Sequence, residues 1–276
     1  MLTLLHISDL HFGPHHVPRV AESLLEIASS LEPDVIVASG DFTQRARPEQ
    51  FADARRYLDR LPKVPLVTTP GNHDVPLYRF MERLFSPLEL YREHISEDLN
   101  QTLAWNQVVI VSLDSTAPLR AVVNGRIDKP QLDYCEQAFT EASEHEVRIV
   151  VAHHHFAPAH DYLPDRTMPG AKRAMDRFEK LKVDLVLGGH LHRAFIGHSL
   201  DFYPGADREH GVIVVQCGTT TSRRGRGREK EKNSFNLIRV EDKTIRVTHY
   251  MFFDEVPGFA PISTHVFPRR TDYLLE

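Results

Sequence analysis

The amino-acid sequence predicts an α/β fold that ends in antiparallel β-structure, so the chain as a whole is α+β in the broad sense. From residue 2 to about residue 188, apolar strand-like runs alternate with segments of helical periodicity. From residue 195 to residue 251, consecutive strand-like runs are separated by short turns. Polar residues stand at the ends of several early strands, which is where open α/β sheets build their sites.

The first seventy residues contain a β-α-β-α-β run. Residues 2–8, 34–39 and 65–69 are apolar and strand-like, and the unbroken apolar composition of the second run is typical of a covered sheet. Residues 17–31 have apolar positions at helical spacing, and a second helix is predicted from residue 48 to about residue 61. Each of the three strands ends at a residue whose side chain could itself act as a ligand.

Beyond residue 75 the pattern predicts further helices and strands. Residues 76–100 are mixed and helix-prone, and helices are predicted over 130–144 and 170–181. Strands are predicted over 103–105, 108–114, 147–152, 183–188, 195–200, 212–218, 234–240 and 244–251. The proline-containing tail from Phe252 is expected to lie along the surface. The predicted organisation is one domain over residues 1–251 and a C-terminal extension, 252–276, that packs on it.

The composition is that of an ordinary soluble globular protein, with 41% hydrophobic and 26% charged residues. The net charge of -5 argues against a nucleic-acid surface that runs along the whole chain. No apolar run reaches the length of a membrane-spanning helix. Cys135 and Cys217 lie in unrelated contexts and are expected to be reduced and buried. These features predict a cytoplasmic protein with no membrane partner.

Five strand ends carry residues that bind metals. They are Asp9 and His11, Asp41, Asn72 and His73, His153, and His190 and His192. Alternation along an extended backbone places the first two on the same side. Carboxylate, imidazole and amide groups together suit borderline divalent ions such as Mn, Fe and Zn. A single buried histidine is ordinary, but five polar strand ends at one sheet edge predict a metal site.

The order of these blocks resembles the full signature of the calcineurin-like metallophosphoesterases. The blocks are Asp9-x-His11, Gly40-Asp41, Gly71-Asn72-His73-Asp74, His153 and Gly189-His190-x-His192. The resemblance covers residues 1 to about 250. Within the family, Leu10 in the first block and the single-domain length most resemble the bacterial phosphodiesterases grouped with class III cyclic-nucleotide phosphodiesterases. It implies a four-layer fold, a two-sheet β-sandwich flanked by helices, with a dimetal site at the carboxyl edge of the strands.

The resemblance also implies a role for each block. Asp9, His11 and His192 would bind a first ion, Asn72, His153 and His190 a second, and Asp41 would bridge them. The ions would be Mn and/or Fe, or Zn, and a water shared between them would attack phosphorus in line. His73 would lie at the phosphate and protonate or stabilise the leaving oxygen, and Asp74 would fix the tautomer of His73.

The run His153-His154-His155 leaves a choice of ligand open. Counting from the strand end selects His153, with His154 as the alternative and His155 as a wall of the pocket.

The predicted function is hydrolysis of small phosphodiesters, with cyclic nucleotides such as 3′,5′-cAMP among the candidates. A Mn-dependent nuclease or phosphomonoesterase is the alternative, and a catalytically silent metal-bound module is the alternative from another class. The expected partner is a small phosphodiester or nucleotide; nucleic acid is not favoured. The oligomeric state is left open, and a homodimer is compatible with the sequence.

An arginine-rich segment, residues 222–232, follows a strand and could overhang the site. Guanidinium groups pair with phosphate in a bidentate manner. Glu229 and Glu231 partly cancel the positive charge, so a solvated loop with at most one arginine in contact with substrate is expected. The arginines concerned are Arg223, Arg224, Arg226 and Arg228.

Overall fold

A computed structural model of the chain describes residues 1–120, 122–143, 146–157, 167–203, 211–255 and 258–269. Two mixed six-stranded sheets lie face to face, and helices cover the outer face of each. This four-layer arrangement confirms the predicted fold class. The pairing of two sheets was implied by the family resemblance alone, because hydrophobic periodicity does not say which strands share a sheet.

The elements begin and end close to the predicted positions. The described strands are β1 (Leu2–Ile7), β2 (Val35–Ala38), β3 (Leu66–Thr68), β4 (Gln101–Trp105), β5 (Val108–Ser112), β6 (Val147–Val151), β7 (Leu185–Gly188), β8 (Phe195–His198), β9 (Ile213–Gln216), β10 (Ser234–Val240), β11 (Thr244–Phe253) and β12 (Gly258–Pro268). The described α-helices are α1 (Pro18–Ser30), α2 (Pro48–Leu58), α3 (Phe80–Phe85), α4 (Glu89–His94), α5 (Lys129–Thr140) and α6 (Ala171–Lys180). Proline lies in the first turn of α1, α2 and α5, where its missing N–H leaves no helical bond unmade.

Parallel strands in both sheets direct their carboxyl ends to the site. The first sheet has the order β12-β11-β10-β1-β2-β3, and the second has the order β4-β5-β6-β7-β9-β8. β1, β2 and β3 are parallel to one another, as are β5, β6, β7 and β9. The antiparallel strands extend both sheets outward. β9 thus belongs to the parallel part, although it lies in the mainly antiparallel last third; its four residues are all buried, as an interior strand requires.

Three apolar clusters hold the layers together. Aliphatic side chains of both sheets, such as Val37 and Ile149, fill the space between them. Phe51 of α2 packs in the cluster under the first sheet's outer helices, and Phe178 of α6 packs in the corresponding cluster of the second sheet. All four of these side chains are at most 1% exposed, so the strand ends are carried by a rigid double layer.

The C-terminal region differs from the expected surface extension. The boundary predicted at residue 252 falls inside β11, and β12 pairs antiparallel with β11 from residue 258 to residue 268. The prolines do not prevent this pairing, because an edge strand tolerates residues that lack an N–H. Residues 258–268 are therefore the edge strand of the first sheet, whereas residues 270–276 of the predicted extension lie outside the described part of the chain.

Candidate metal centre

The strand ends of the two sheets meet at one place. Asp9 and His11 follow β1, Asp41 follows β2, and Asn72 follows β3. From the second sheet, His153 follows β6, and His190 and His192 follow β7. Hydrogen bonds join the two sheets here, since the backbone N–H of His190 donates to Asp9 Oδ2 at 3.0 Å. All seven residues expected to bind metal are thus brought to a common edge.

The first group of ligand atoms surrounds a single point. His11 Nε2 and His192 Nε2 lie 3.0 Å apart, and Asp9 Oδ1 lies 3.1 Å from His192 Nε2 and 3.6 Å from His11 Nε2. Asp41 Oδ2 lies 3.6 Å from His11 Nε2. Two ring nitrogens and two carboxylates that converge in this way form a donor set for a cation, so this arrangement suits an ion placed between them.

The second group adjoins the first through Asp41. Asn72 Oδ1 lies 2.9 Å from His190 Nδ1 and 3.3 Å from His153 Nε2. His153 Nε2 in turn lies 3.4 Å from Asp41 Oδ2, the same oxygen that faces His11. The carboxylate of Asp41 therefore lies between the two groups, as a bridging ligand would.

His153 and His154 have different surroundings. His153 faces Asp41 and Asn72, whereas His154 Nδ1 lies 2.8 Å from Ser115 Oγ. The ring nitrogens of His154 are nevertheless close to those of His153 and His190, and the three together could hold an ion. His155 stacks on His190 with ring centroids 5.5 Å apart and lines the adjoining cavity. The geometry favours His153 as the ligand nearest the bridging carboxylate.

Two carboxylate oxygens test whether the site fits a metal. Asp9 Oδ1 and Asp41 Oδ2 are fully buried, and no hydrogen-bond donor among the described residues satisfies them. The other oxygen of each is satisfied, since Ser8 Oγ donates to Asp9 Oδ2 at 2.7 Å and the N–H of His73 donates to Asp41 Oδ1 at 2.7 Å. Leaving a buried carboxylate oxygen unpaired costs about 1–3 kcal/mol or more. Cations at these two positions would remove that cost, so the residues fit a metal centre.

The carboxylate of Asp9 is held ionised and the ring of His11 neutral, whereas His153 would have to release a proton to bind a metal. Burial alone would raise the pKa of Asp9, but the neighbouring imidazoles of His192 and His11 hold it well below its usual value. Burial lowers the pKa of His11 to about 3, which leaves its ring nitrogens neutral. Burial would also lower the pKa of His153, but the charge of Asp41 raises it to about 9. A proton on this histidine therefore supplies positive charge that a metal ion would otherwise provide.

Backbone acceptors orient two of the histidines. His192 Nδ1 lies 2.9 Å from the carbonyl oxygen of Arg224, and His153 Nδ1 lies 2.8 Å from the carbonyl oxygen of Ser39. Each ring therefore donates its Nδ1–H to a carbonyl and presents Nε2 to the centre. Such outer contacts fix the tautomer and orientation of metal-binding histidines.

The backbone of the site is held in a rarely used conformation. Five of the seven residues have positive φ angles, between 47° and 73°: Asp9, His11, Asp41, His190 and His192. Each such conformation costs about 1–3 kcal/mol for a residue other than glycine, and it persists where the surrounding structure imposes it. Gly71 is required for a related reason, because a Cβ atom there would overlap the carboxylate and backbone nitrogen of Asp41.

Asp74 does not have the expected contact with His73. Its carboxylate accepts hydrogen bonds from the backbone N–H groups of Thr43 and Gly71, both at 2.9 Å, and of Phe42 at 3.2 Å. His73 Nδ1 instead lies 3.0 Å from the carbonyl oxygen of Gln44. The prediction that Asp74 fixes the tautomer of His73 was wrong, because the 3₁₀ turn Asn72–Asp74 points the two side chains in different directions. Burial, together with the nearby charge of Asp41, raises the pKa of Asp74 to about 7.

A cavity of about 670 Å³ opens beside the centre and is lined by Asp41, His73 and His190. Sequence reasoning missed Gln44, Arg45 and Tyr78, which also line it, because no motif marks them. Three arginines of the arginine-rich segment also line the cavity: Arg223, Arg224 and Arg226. The expectation that at most one of them contacts substrate stays a prediction. The side chain of Arg228 lies outside the described part of the structure.

The carboxylate of Glu229 is buried beneath the segment, accepting the N–H of Ala194 at 2.6 Å and the hydroxyl of Ser234 at 3.0 Å. It therefore supports the segment from inside the protein. Burial lowers the pKa of Arg224, against the opposing charges of Asp41 and Asp9.

Two mixed sheets with adjoining carboxylate and histidine clusters at one edge are the architecture of the metallophosphoesterases. The family model for calcineurin-like phosphoesterases matches residues 2–194, and the chain belongs to this family. The predicted metallophosphoesterase is thereby confirmed. No helix in the described ranges is both long and apolar enough to span a bilayer.

The chain is similar to several named proteins. It is 28% identical over 218 residues to a probable cyclic nucleotide phosphodiesterase of Synechococcus sp., covering 74% of this chain and 79% of that protein. It is 25% identical to the 3′,5′-cyclic adenosine monophosphate phosphodiesterase of Escherichia coli, covering 69% of each chain.

Solved structures share the fold at low identity. A purple acid phosphatase of yellow lupin superposes with a TM-score of 0.73 at 12% identity. The superposition covers 100% of this chain but only 55% of the lupin protein. A dimetal phosphatase of Danio rerio has a TM-score of 0.62 at 13% identity, covering 97% and 99% of the two chains.

Proposed function

We propose that this protein is a two-metal phosphodiesterase that hydrolyses small phosphodiesters, with cyclic nucleotides such as 3′,5′-cAMP among its substrates. The observation that carries the proposal is the pair of buried, unsatisfied oxygens Asp9 Oδ1 and Asp41 Oδ2 beside an open cavity. The two cyclic-nucleotide phosphodiesterase relatives support the same substrate class.

The proposed ligands follow the two groups of the centre. Asp9, His11 and His192 would hold one ion and Asn72, His153 and His190 the other, with Asp41 shared. Mn and/or Fe, or Zn, match this mixture of oxygen and nitrogen donors. Such a pair of ions supplies Lewis acidity that activates water near neutral pH and offsets negative charge on the phosphate.

The protein's own contribution to the reaction would centre on His73. Its Nδ1–H donates to the carbonyl of Gln44, which leaves Nε2 available to a substrate in the cavity. In the reaction, the oxygen of water bonds to phosphorus and the P–O bond to the leaving oxygen breaks. When both ring nitrogens of His73 carry protons, Nε2 would give its proton to that oxygen, and the proton lost by water would restore the doubly protonated ring. The products are a phosphomonoester and an alcohol, or one ring-opened nucleotide from a cyclic substrate.

A nuclease is the second candidate, favoured by the three arginines that line the cavity. A silent metal-bound module is disfavoured, because His73 is held in a defined tautomer beside the cavity without belonging to either ligand group. We further propose a cytoplasmic location, which is supported by two cysteines that are both buried and unpaired.

The test is hydrolysis of bis-p-nitrophenyl phosphate with added Mn²⁺, compared with the monoester, 3′,5′-cAMP and single-stranded DNA. We expect the diester and 3′,5′-cAMP to be cleaved faster than the monoester and DNA, and a chelator to abolish the activity. Asp53→Asn, a surface carboxylate in an exposed ion pair, is the matched control for changes at Asp41. A folded protein that binds no Mn, Fe or Zn and cleaves none of these substrates contradicts the proposal.

A further inference from the structure

The cavity beside the metal centre has two chemically different parts. One part, here called the arginine wall, consists of Arg45, Arg223, Arg224 and Arg226. The other includes the apolar side chains of Leu77, Tyr78, Val122 and Val123. The guanidinium of Arg45 lies 4.7 Å from the centre of the Tyr78 ring, so the two parts meet at this pair.

The backbone of the arginine wall is fixed to the segments that carry the metal ligands. The N–H of Arg223 donates to the carbonyl of His15 at 2.9 Å, and the N–H of Arg226 donates to the carbonyl of His192 at 3.1 Å. The carbonyl of Arg224 accepts a hydrogen bond from the ring of His192. A ligand that binds to this wall therefore does not have to order the loop first, which lowers the entropic cost of binding.

The charge of the wall exceeds what one phosphodiester can offset. Among the described residues that line the cavity, the four arginines face a single carboxylate, that of Asp41. With Arg226 left out of the count and Asp9 beneath the cavity included, three arginines stand against two carboxylates, and two divalent ions at the centre would add four further positive charges. No carboxylate in the described ranges forms an ion pair with Arg45, Arg223 or Arg224. A phosphodiester brings one negative charge, so the site has capacity for a second anionic group.

We propose that the arginine wall binds a second phosphate group of the substrate, and that the preferred substrates are small phosphodiesters carrying a further phosphate. This inference rests on the proposed phosphodiesterase function and names its substrate class. Arg224 is the central residue, because it is half-buried and its carbonyl holds the imidazole of His192. Guanidinium and phosphate match in geometry and can form paired hydrogen bonds.

The observations favour a small molecule over a nucleic-acid strand. The cavity volume of about 670 Å³ suits a ligand of nucleotide size. Its apolar part suits a base or another flat group, and Tyr78 is available to stack because its side chain is 74% exposed. A strand would need positive potential along an extended groove, whereas the chain carries a net charge of -5.

The experiment compares thymidine 5′-(p-nitrophenyl phosphate) with the same compound carrying a 3′-phosphate. Both release p-nitrophenolate, so their difference reports the second phosphate alone. We expect the 3′-phosphorylated compound to have a kcat/KM higher on the order of tenfold, mostly through a lower KM, as one charge-assisted contact predicts. Arg224→Ala should remove this preference, and Arg223→Ala should reduce it. Arg56→Ala, an exposed arginine on α2, should keep it.

A binding measurement complements the kinetics. Calorimetric titration of the metal-free protein with thymidine 3′,5′-bisphosphate should show binding that Arg224→Ala weakens on the order of tenfold and Arg56→Ala does not.

Hydrolysis of both compounds with equal kcat/KM would overturn the inference and leave the proposed function standing. Hydrolysis of neither, with Mn²⁺ bound, would instead contradict the proposed function. Preference for an oligothymidylate over both compounds, with a salt dependence that Arg224→Ala flattens, would assign the wall to a nucleic-acid strand and also overturn the inference.

Discussion

The Nδ1 atom of His192 lies 2.9 Å from the backbone carbonyl oxygen of Arg224. A residue of the arginine-rich segment thus orients a histidine of the metal centre through its backbone, while its side chain lines the cavity. Thr219, three residues before this segment, donates its hydroxyl hydrogen to the carbonyl of Asp9 at 2.7 Å. The segment and the residues just before it therefore contact the centre from two directions.

The first prediction separates the hydrogen bond from Thr219 to the backbone of Asp9 from the side chain of Arg224. Thr219→Val should weaken metal binding about 10- to 100-fold, because it removes the hydrogen bond that holds the backbone of Asp9. Arg224→Ala should leave metal affinity within a fewfold of the original, because its carbonyl remains. Competition with a chromogenic chelator measures both affinities. Equal losses in the two variants would show that the side chain of Arg224 supports the centre as much as the hydroxyl of Thr219 does, and would contradict the prediction.

The second prediction concerns the shared carboxylate. Asp41→Asn should lower the metal content at both positions, because Asp41 Oδ2 faces ligands of both groups. Asp9→Asn should empty mainly the first position, because the ligand atoms close to Asp9 Oδ1 in the described part of the chain are those of His11 and His192. Elemental analysis after gel filtration gives the stoichiometry. Full occupancy in Asp41→Asn with activity retained contradicts the assignment.

The third prediction concerns proton transfer. His73→Ala should keep its metals but lose about 10²–10⁴-fold in rate on diesters with poor leaving groups. The loss should be smaller for p-nitrophenolate, which hardly needs a proton. Rates on an alkyl and a p-nitrophenyl ester of the same phosphate measure the difference. Equal losses on both would show that His73 binds phosphate and donates no proton.

The fourth prediction tests what holds His73. Gln44→Ala keeps the carbonyl that accepts the Nδ1–H of His73, so it should change the rate by less than about tenfold. Asp74→Ala removes an acceptor of three buried N–H groups and should lower the free energy of unfolding by about 1–3 kcal/mol. Denaturant unfolding and steady-state rates distinguish these effects. Asp74→Asn keeps an acceptor oxygen. If it lowered the rate strongly while leaving the free energy of unfolding nearly unchanged, Asp74 would be restored as the group that orients His73.

The fifth prediction is a pH dependence of stability at Asp114, away from the metal ligands. Burial raises the pKa of Asp114 to about 6, from a model-compound value of 3.8. The folded state therefore binds more protons than the unfolded state between these values. The stabilisation that protonated Asp114 gives to the folded state is present below about pH 4 and is lost as the pH rises through about 6. The difference in melting temperature between the original protein and Asp114→Asn should change by several degrees across this range. A difference that stays constant from pH 4 to pH 7 would contradict the shift.

The sequence by itself determined the elements and the chemistry of the strand ends. Apolar periodicity depends on near neighbours, so β1, β2, β3, β6 and β7 could be predicted together with the ligands that follow them. The metal-binding character followed because parallel strands must end at one edge, and Asp9, Asp41 and His190 then have to meet.

Only the tertiary structure decided how distant segments approach. The residues just before the arginine-rich segment are held at the site by contacts such as the hydrogen bond from the N–H of Ser8 to Thr220 Oγ1, between residues 212 positions apart. No local pattern encodes such a contact, which is why the arginine-rich segment was expected to be a solvated loop. Asp74 shows the same limit on a smaller scale, since its motif gives its neighbours in sequence but not the direction of its side chain. That direction was set by the buried N–H groups of Phe42 and Thr43, which have to find an acceptor when the loops after β2 and β3 pack together.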